Sequence, residues 1–142
     1  MLRVSYLLAL KGREVWSIDP DAPVLDAIRL MAERHIGAVP VTRGAELFGI
    51  VSERDYARKV ILMGRSSADT PVRDIMSTPV TTISPDEVVH NCMEIMTRER
   101  IRHLPVTDQG RVIGIISIGD LVKAVIEEQQ QTIDQLERYI AS

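Results

Sequence analysis

A heptapeptide that occurs twice is the feature of this 142-residue chain that most constrains its fold. Residues 49–55 read GIVSERD, and residues 114–120, which lie 65 positions later, read GIISIGD. The same offset aligns residues 15–60 with residues 80–125 without a gap and gives 15 identical pairs. Two copies of one supersecondary unit usually pack against each other, and a ligand then binds in the cleft between them. The sequence therefore predicts a duplicated fold with its functional site where the copies meet.

Each copy predicts the order strand, helix, strand, strand, helix. In the first copy we expect a strand at 15–18, a helix with apolar residues at helical spacing from 24 to 31, a hairpin of 38–41 with 47–51, and a helix from about 54 to 62. Proline cannot donate a hydrogen bond to a sheet, so Pro40 is expected at a strand edge or irregularity. The fold class is α/β, of the α+β kind, with two repeats related by a pseudo-twofold axis.

The domain boundaries follow from the repeat and from local composition. Residues 1–63 are the first repeat, and residues 64–71 form a linker of small and polar residues. Residues 72–142 are the second repeat, whose last helix extends from about 120 towards 140. Each repeat is also expected to begin with a short helical turn, because the offset aligns Leu7 with Val72 and Leu10 with Ile75. The two repeats together form one unit.

Composition and charge exclude several classes of protein. The apolar share of 45% is typical of a globular domain, and no apolar run approaches the roughly 18 residues of a membrane helix. A net charge of −3 with interspersed signs argues against a general nucleic-acid surface. Cys92 is the only cysteine, and the N-terminal apolar stretch is too short for an export signal. We therefore expect a cytoplasmic protein with neither membrane nor nucleic acid as its partner.

The repeated pattern Gly-h-h-Ser-x-x-Asp, where h is apolar, has two chemical interpretations. A strand that ends in Ser and turns into a helix presents backbone N–H groups to a phosphate. Asp three residues later offers two acceptor oxygens to the hydroxyls of a ribose. The alternative is a capping box, in which the Ser and Asp side chains bond to free N–H groups of the first helical turn. The residues are Ser52 with Asp55 and Ser117 with Asp120, and the sequence leaves both interpretations open.

The repeated strand, helix, Pro-Val strand and Gly-h-h-Ser-x-x-Asp unit resembles the CBS domain, and the pair resembles a Bateman module. Residues 51–65 and 100–106 are especially similar to the stand-alone bacterial type. The resemblance implies clefts between the repeats that bind adenine nucleotides as regulatory ligands: AMP first, then ADP, ATP, NAD(H) or S-adenosylmethionine. It also implies a non-catalytic module that signals energy or redox state to a partner.

The resemblance also implies which residues contact the ligand. The motif Asp and Ser would bind the ribose and phosphate, and basic residues before the Pro-Val strand of the second repeat resemble phosphate-contacting positions. The candidates for ribose and phosphate are Ser52, Arg54, Asp55, Arg100, Arg102, His103, Ser117 and Asp120. The candidates for the adenine pocket are Ile18, Ile36, Ala38, Ile83 and Ile101. The alternatives are solvated arginines and isoleucines that belong only to the core.

Enzymatic interpretations find little support in the sequence. Residues 114–119 have the GxxxxG spacing of a P-loop, but Asp120 follows where a phosphate-binding Lys is required. His35, His90 and His103 are scattered and form no metal-binding motif. Cys92 lies on the apolar face of a helix and is expected to be a small buried residue. We therefore expect no catalytic residues, no metal site and no catalytic cofactor.

The last helix carries an apolar stripe that a monomer would leave partly exposed. Its members are Val122, Val125, Ile126, Ile133, Leu136 and Ile140. The resemblance implies a homodimer that covers them, and a closed twofold pair is the commonest oligomer. A different protein partner is the alternative for this helix. For the whole chain, the alternatives are a structural dimer with vestigial sites and a regulatory subunit acting in trans on an enzyme or transporter.

Overall fold

The structure is a computed structural model that describes residues 1–12 and 14–141. Its helices are α1 (Val4–Lys11), α2 (Val24–Arg34), α3 (Glu53–Tyr56), α4 (Val89–Glu99) and α5 (Ile118–Ala141). Its strands are β1 (Ala38–Arg43), β2 (Glu46–Ser52), β3 (His103–Asp108) and β4 (Arg111–Ser117). A π-helical turn, Ala57–Ile61, continues α3, and a 3₁₀ turn, Val72–Asp74, precedes the second repeat. The predicted fold class, with mixed helices and strands in two repeats, is confirmed.

The strands form two antiparallel hairpins, β1–β2 and β3–β4, with the same register. Each hairpin has an irregularity after the Pro-Val pair, between Val41 and Thr42 in the first and at the same repeat position in the second. The duplication thus extends from the sequence to the hydrogen-bond register.

The predicted first strand of each repeat is reduced to a single bridge residue. Ile18 pairs in parallel with Val41: its N–H donates to the Pro40 carbonyl at 3.1 Å, and its carbonyl accepts from Thr42 at 2.9 Å. Extension of the ladder to Trp16 would require an N–H on Pro40, which proline lacks. The prediction of a strand over 15–18 was therefore too long, and the same geometry recurs at Ile83, whose N–H donates to Pro105.

Two hydrophobic cores lie under the two hairpins, and each is completed by the segment that precedes the other repeat. We call residues 3–12 and 70–77 the leading segments. Val4 and Leu7 of α1 are buried in the core of the second repeat, and Val72 and Ile75 are buried in the core of the first. Each leading segment thus precedes one repeat in the sequence but packs in the core of the other repeat. We describe this arrangement as an exchange of the leading segments.

The exchange explains the glycine at the start of each motif. A Cβ atom on Gly49 would lie 2.7 Å from Sδ of Met76, and one on Gly114 would lie 2.5 Å from Cδ2 of Leu8. Real Cβ atoms essentially never approach so closely, so a larger residue at either position would force the side chain of Met76 or Leu8 to shift. Next to this contact, Ile50 pairs with Ser77 through two backbone hydrogen bonds of 2.8 and 3.1 Å.

Helix α5 is longer than the fold requires. Its first turns bury Leu121 and Ala124, whereas Ile126, Ile133, Leu136 and Ile140 of the predicted stripe are 46–80% exposed. Within the described part of the chain, no helix is long and apolar enough to cross a membrane. Cys92 is fully buried in the second core, as predicted, and burial first, with the charge of Glu87 second, raises the pKa of its thiol to about 11.

Candidate functional site

Both Ser–Asp motifs form capping boxes at the start of a helix. In the first Ser–Asp pair, Asp55 N–H donates to Ser52 Oγ at 3.1 Å, while Ser52 N–H and its hydroxyl each donate to Asp55 Oδ2 at 3.0 Å. In the second Ser–Asp pair, Asp120 N–H donates to Ser117 Oγ at 3.1 Å and Ser117 N–H donates to Asp120 Oδ2 at 2.9 Å. The capping interpretation is thus correct for both copies. It also fixes each carboxylate at the N-terminus of a helix.

The first Ser–Asp pair lies in a cleft of about 490 Å³ between the repeats, which we call the first cleft. Its walls come from three parts of the chain. They are Gly37, Ile50, Ser52, Glu53, Arg54, Asp55 and Arg58 from the first repeat, Ser77, Pro79, Val80 and Thr81 from the start of the second repeat, and Arg100, Ile101, Arg102, His103 and Ile118 from its later part. The meeting of the repeats therefore creates a cleft, as the duplication predicts.

The first cleft is rich in positive charge although the whole chain is acidic. Arg54, Arg58, Arg100 and Arg102 line it, against the carboxylates of Glu53 and Asp55. Among the residues that the structure describes, none of the four arginines forms an ion pair. Their charge is therefore available to an anionic group of a ligand.

His103 joins the first cleft to the second Ser–Asp pair. It lines the cleft, and its backbone pairs with Ser117 in the β3–β4 hairpin. Burial lowers the pKa of His103, the charges of Lys11, Arg102 and Arg54 act in the same direction, and Asp120 opposes them. The imidazole is therefore mainly neutral near pH 7, and an anion in the cleft would favour its protonation.

The carboxylate of Asp55 contacts three residues, Ser52, Ser77 and Lys59. Besides its bonds to Ser52, its Oδ1 accepts from Ser77 Oγ at 3.0 Å and lies 3.0 Å from Nζ of Lys59. Lys59 also donates to the Ile75 carbonyl at 2.9 Å. Only 8% of Asp55 is exposed. A ligand hydroxyl that bonds to Oδ1 therefore has to displace Ser77 or share the oxygen with it.

Asp120 has a different partner. Lys11, the last residue of α1, places Nζ 2.7 Å from Asp120 Oδ2 and donates to the Ile115 carbonyl at 2.9 Å. Burial by itself would raise the pKa of Asp120, but the bonds from Lys11 and Ser117 lower it overall. The two Ser–Asp pairs are therefore alike in their capping bonds and unlike in their outer contacts.

The sequence candidates fall into two groups in space. The structure brings Ser52, Arg54, Asp55, Arg100, Arg102 and His103 together in the first cleft, whereas Ser117 and Asp120 lie outside its lining. Of the adenine candidates, Ile101 lines this cleft. Ile18 and Ile36 pack against the first core, Ala38 is 1% exposed, and Ile83 is buried in the second core at 5% exposure.

Several cleft residues were absent from the sequence prediction. Arg58 follows Arg54 by one helical turn, so the predicted helix over 54–62 contained the signal that both lie on one face. Val80 and Thr81 belong to the predicted first strand of the second repeat. Ser77 had no signal, because its contact with Asp55 depends on the exchanged leading segment.

The duplicated fold agrees with the match of this chain to a known protein family. The sequence profile of the CBS domain matches residues 10–61 and, a second time, residues 72–127. The chain belongs to the CBS-domain family. The two matches correspond to the two repeats, so the chain carries a CBS pair.

Solved and curated CBS proteins agree with this assignment. A protein with CBS domains from Burkholderia ambifaria is 48% identical, with a TM-score of 0.86 over 90% of this chain and 96% of that one. The resemblance to the stand-alone bacterial type is thereby confirmed. CBS domain-containing protein CBSX3, mitochondrial, from Arabidopsis thaliana is 41% identical over 91% of this chain, and the match spans 65% of that relative's length.

A more distant structure, the CBS domain pair of protein MJ0100, has the same fold with a TM-score of 0.81 at 22% identity, over 90% of this chain and 98% of that one. That CBS pair was solved in complex with 5′-methylthioadenosine and S-adenosyl-L-methionine.

Proposed function

We propose that this CBS pair is a non-catalytic regulatory module that binds an adenine nucleotide in the first cleft. The observation that carries the proposal is that a carboxylate, apolar side chains and arginines line the same cleft. A fixed carboxylate, Asp55, lies with apolar side chains in one cavity of about 490 Å³, together with four arginines that form no ion pair with another described residue. This volume falls in the range of small-molecule sites.

Each part of a nucleotide has a matching group in the cleft. Asp55 offers its oxygens to the ribose hydroxyls, and Ile50, Val80 and Ile101 offer apolar surface to the adenine ring. Arg54, Arg58, Arg100 and Arg102, together with His103, suit the phosphates. A ribose hydroxyl at Asp55 Oδ1 would replace the hydroxyl of Ser77 and would share this oxygen with the ammonium of Lys59.

The charge of the cleft favours phosphorylated ligands within the adenosyl class. The ligands of the MJ0100 CBS pair support this class for the present chain. Neither of them carries a phosphate, whereas the four arginines of the first cleft favour an anionic ligand. AMP is the first candidate, followed by ADP, ATP and NAD(H), and S-adenosylmethionine is the comparison ligand without a phosphate.

Signalling would follow from the position of the cleft between the repeats. A ligand that contacts Asp55 of the first repeat and Arg102 of the second stabilises one relative arrangement of the repeats. A protein partner would then recognise that arrangement and so respond to energy or redox state. We place this function in a cytoplasmic homodimer whose exposed α5 residues are covered by a second copy.

Isothermal titration calorimetry of the purified chain against AMP, ADP, ATP, NADH and S-adenosylmethionine tests the proposal. Asp55→Asn keeps the size of the side chain and should weaken the preferred ligand at least tenfold, because a bond to a charged acceptor contributes about 1.5–3 kcal/mol. Asp108→Asn, an exposed carboxylate outside the cleft, is the matched control. Lack of heat with all five ligands at millimolar concentration would contradict the proposal.

A structural role is the second candidate, and one observation favours it. In both Ser–Asp pairs the side chains already satisfy the helix N-terminus, as they would in a protein with vestigial sites. Such a chain would act as an interaction dimer, or in trans as a regulatory subunit of an enzyme or transporter. It would keep its assembly state and its partner in Asp55→Asn, whereas a nucleotide sensor would lose its ligand response.

A further inference from the structure

The helix that follows the first Ser–Asp pair ends in an exposed apolar surface. Ile61, Leu62 and Met63 are 57%, 76% and 69% exposed, and we call them the 61–63 surface. At the 65-residue offset, Leu62 and Met63 correspond to Glu127 and Glu128. The second repeat thus has charged residues at these positions, so the fold of a repeat does not require apolar side chains there. Consecutive exposed apolar residues that the fold does not require indicate a contact with another molecule.

The helix of the second Ser–Asp pair also ends in an exposed apolar face. The match to the CBS profile stops at residue 127, whereas α5 continues to Ala141. We call residues 127–141 the α5 tail. Its Ile133, Leu136 and Ile140 are exposed, and their spacing in the sequence places them on one face of the helix. The α5 tail therefore presents an apolar face that its own molecule does not cover.

The two apolar surfaces are flanked by opposite charges. Residues 58–65, around the 61–63 surface, contain three basic residues and no acidic one: Arg58, Lys59 and Arg65. Residues 127–137 of the α5 tail contain four acidic residues and no basic one: Glu127, Glu128, Asp134 and Glu137. Two α5 tails packed on each other would bring like charges together. The 61–63 surface instead offers apolar side chains with charge of the opposite sign.

The ion pairs within the chain leave part of this charge available. Lys59 pairs with Asp55 and Arg65 pairs with Asp74. Arg58 and the four acidic residues of the α5 tail form no ion pair with any residue that the structure describes. Their charges can therefore attract a second molecule and fix its orientation.

We propose that the α5 tail of one copy of this chain packs on the 61–63 surface of a second copy, and that the same contact forms twice in a closed dimer. The inference rests on the homodimer of the proposed function and names the two surfaces that form it. Both surfaces are exposed within one molecule, so each has to be covered by the other copy. A twofold axis places each tail on the partner's 61–63 surface, and neither surface is then left to extend the assembly.

The first test copies the residues of the second repeat into the first. Leu62→Glu/Met63→Glu should keep the fold, because the equivalent helix has glutamates at these positions. In sedimentation experiments the wild type should be a dimer, and the variant should associate at least about tenfold more weakly. Leu136→Ser in the α5 tail should have a similar effect. Leu10→Glu, an exposed position of α1 outside both surfaces, is the control and should leave the dimer unchanged.

Two results of this experiment would overturn the proposal. One is a wild type that remains monomeric at its highest soluble concentration. The other is a dimer that keeps its affinity in Leu62→Glu/Met63→Glu while circular dichroism shows an intact fold.

Cysteine cross-linking identifies which surfaces meet. Cys92 is fully buried, so introduced cysteines supply the accessible thiols. Met63→Cys and Leu136→Cys are made in separate chains, which are mixed to exchange subunits and treated with a short bismaleimide. Covalent dimers should form in the mixture and in neither variant alone. Cross-linking of Leu136→Cys with itself would show that two α5 tails pair, and this result, or the absence of cross-links from the mixture, would overturn the proposal.

The role of charge has its own test. Asp134→Lys/Glu137→Lys should weaken the dimer severalfold, because it brings positive charge towards the basic side of the 61–63 surface. Asp108→Lys changes an exposed carboxylate outside both surfaces and should leave the dimer unchanged. Equal dimer affinities in these two variants would contradict the proposed pairing.

The failure of this inference and that of nucleotide binding are distinguishable, because the first cleft lies within one chain. Leu136→Ser should bind AMP with the affinity of the wild type in calorimetry. AMP binding that depends on Asp55 in a wild type that does not dimerise would overturn this inference alone. A dimer with the expected cross-links that binds no nucleotide would overturn the sensor and leave this inference standing.

Discussion

Gly37 of the first repeat faces His103 of the second so closely that a Cβ atom on Gly37 would lie 3.2 Å from Nε2 of the imidazole. The same atom would lie 3.4 Å from Oε1 of Glu53. All three residues line the first cleft, so the width of the cleft at this point depends on the absence of a side chain at Gly37.

Gly37→Ala should therefore narrow the cleft and displace His103. We expect about 1 kcal/mol of lost stability from overpacking, measured by urea unfolding, and a severalfold weaker nucleotide affinity, measured by calorimetry. Gly119→Ala is the control, because its Cβ would lie 3.6 Å from Ser117 Oγ, an ordinary contact, and alanine favours a helix. Equal effects of the two substitutions on affinity would contradict the role of Gly37.

The contact between Gly114 and Leu8 predicts a coupling between the two ends of the chain. Gly114→Ala should destabilise the protein by about 1–3 kcal/mol because the new methyl group overlaps Leu8. Leu8→Ala alone should cost about 2–5 kcal/mol, because it leaves a cavity in the second core. The double variant should lose clearly less than the sum of the two, since each change makes room for the other. Additive losses in urea unfolding would show that α1 does not lie on β4.

The neutral state of His103 predicts a dependence of stability on pH. Because burial lowers its pKa below the ordinary value of 6.5, the unfolded chain binds the proton more readily than the folded one. The stabilisation of the folded state by the neutral imidazole of His103 is therefore complete above about pH 7. It declines as the pH falls below about 6.5, the ordinary pKa of histidine. His103→Gln should flatten this part of the profile in urea titrations between pH 7.5 and 5. If the free energy of unfolding changed with pH by the same slope in the wild type and in His103→Gln, the proton would belong to a group other than His103.

A phosphorylated ligand should reverse that trend at the same histidine. Phosphate near His103 favours the imidazolium, so AMP affinity should rise as the pH falls from 7.5 to 6, with proton uptake visible in buffers of different ionisation enthalpy. Adenosine should show neither effect. In His103→Gln the proton uptake by the imidazole should be lost, so that AMP affinity follows only the ionisation of the phosphate itself, whose second pKa is about 6.

Arg102 separates phosphate binding from ribose binding. Arg102→Ala should weaken AMP about tenfold through the loss of a charge-assisted hydrogen bond and should change adenosine affinity less than twofold. Arg111→Ala, an exposed arginine outside the first cleft, should change neither. Equal losses for AMP and adenosine in Arg102→Ala would leave this arginine without a phosphate contact.

The sequence predicted the elements of this fold well because both copies repeat the same local pattern. The apolar spacing of α2 and α4, the paired Pro-Val strands and the capping Ser and Asp are all signals within a few residues of each other. The short first strand was overestimated because its length depends on a hydrogen bond that Pro40 cannot donate to Trp16, a residue far away in the sequence.

Part of the candidate site was predictable because its residues belong to the repeated motif or to a local cluster of charge. Ser52, Asp55 and the arginines near residue 100 follow from motif and charge, and the structure brings them into one cleft. Lys11 could not be predicted, since 109 residues separate it from Asp120 and nothing local marks the contact. Arg102 and His103 led to the prediction that the two sites differ in their preference for phosphate. The different outer contacts of Asp55 and Asp120 were not predicted, because they come from the exchanged leading segments.

The exchange of leading segments has a consequence for the history of the chain. A single repeat cut from this protein would keep its hairpin and helices but would lose one wall of its core, Val4 and Leu7 in one half or Val72 and Ile75 in the other. An ancestral unit of half the length would have obtained that wall from a second molecule, and so would have folded only at concentrations that sustain association. Fusion of two units in one gene supplies the missing wall within the same molecule and frees folding from protein concentration.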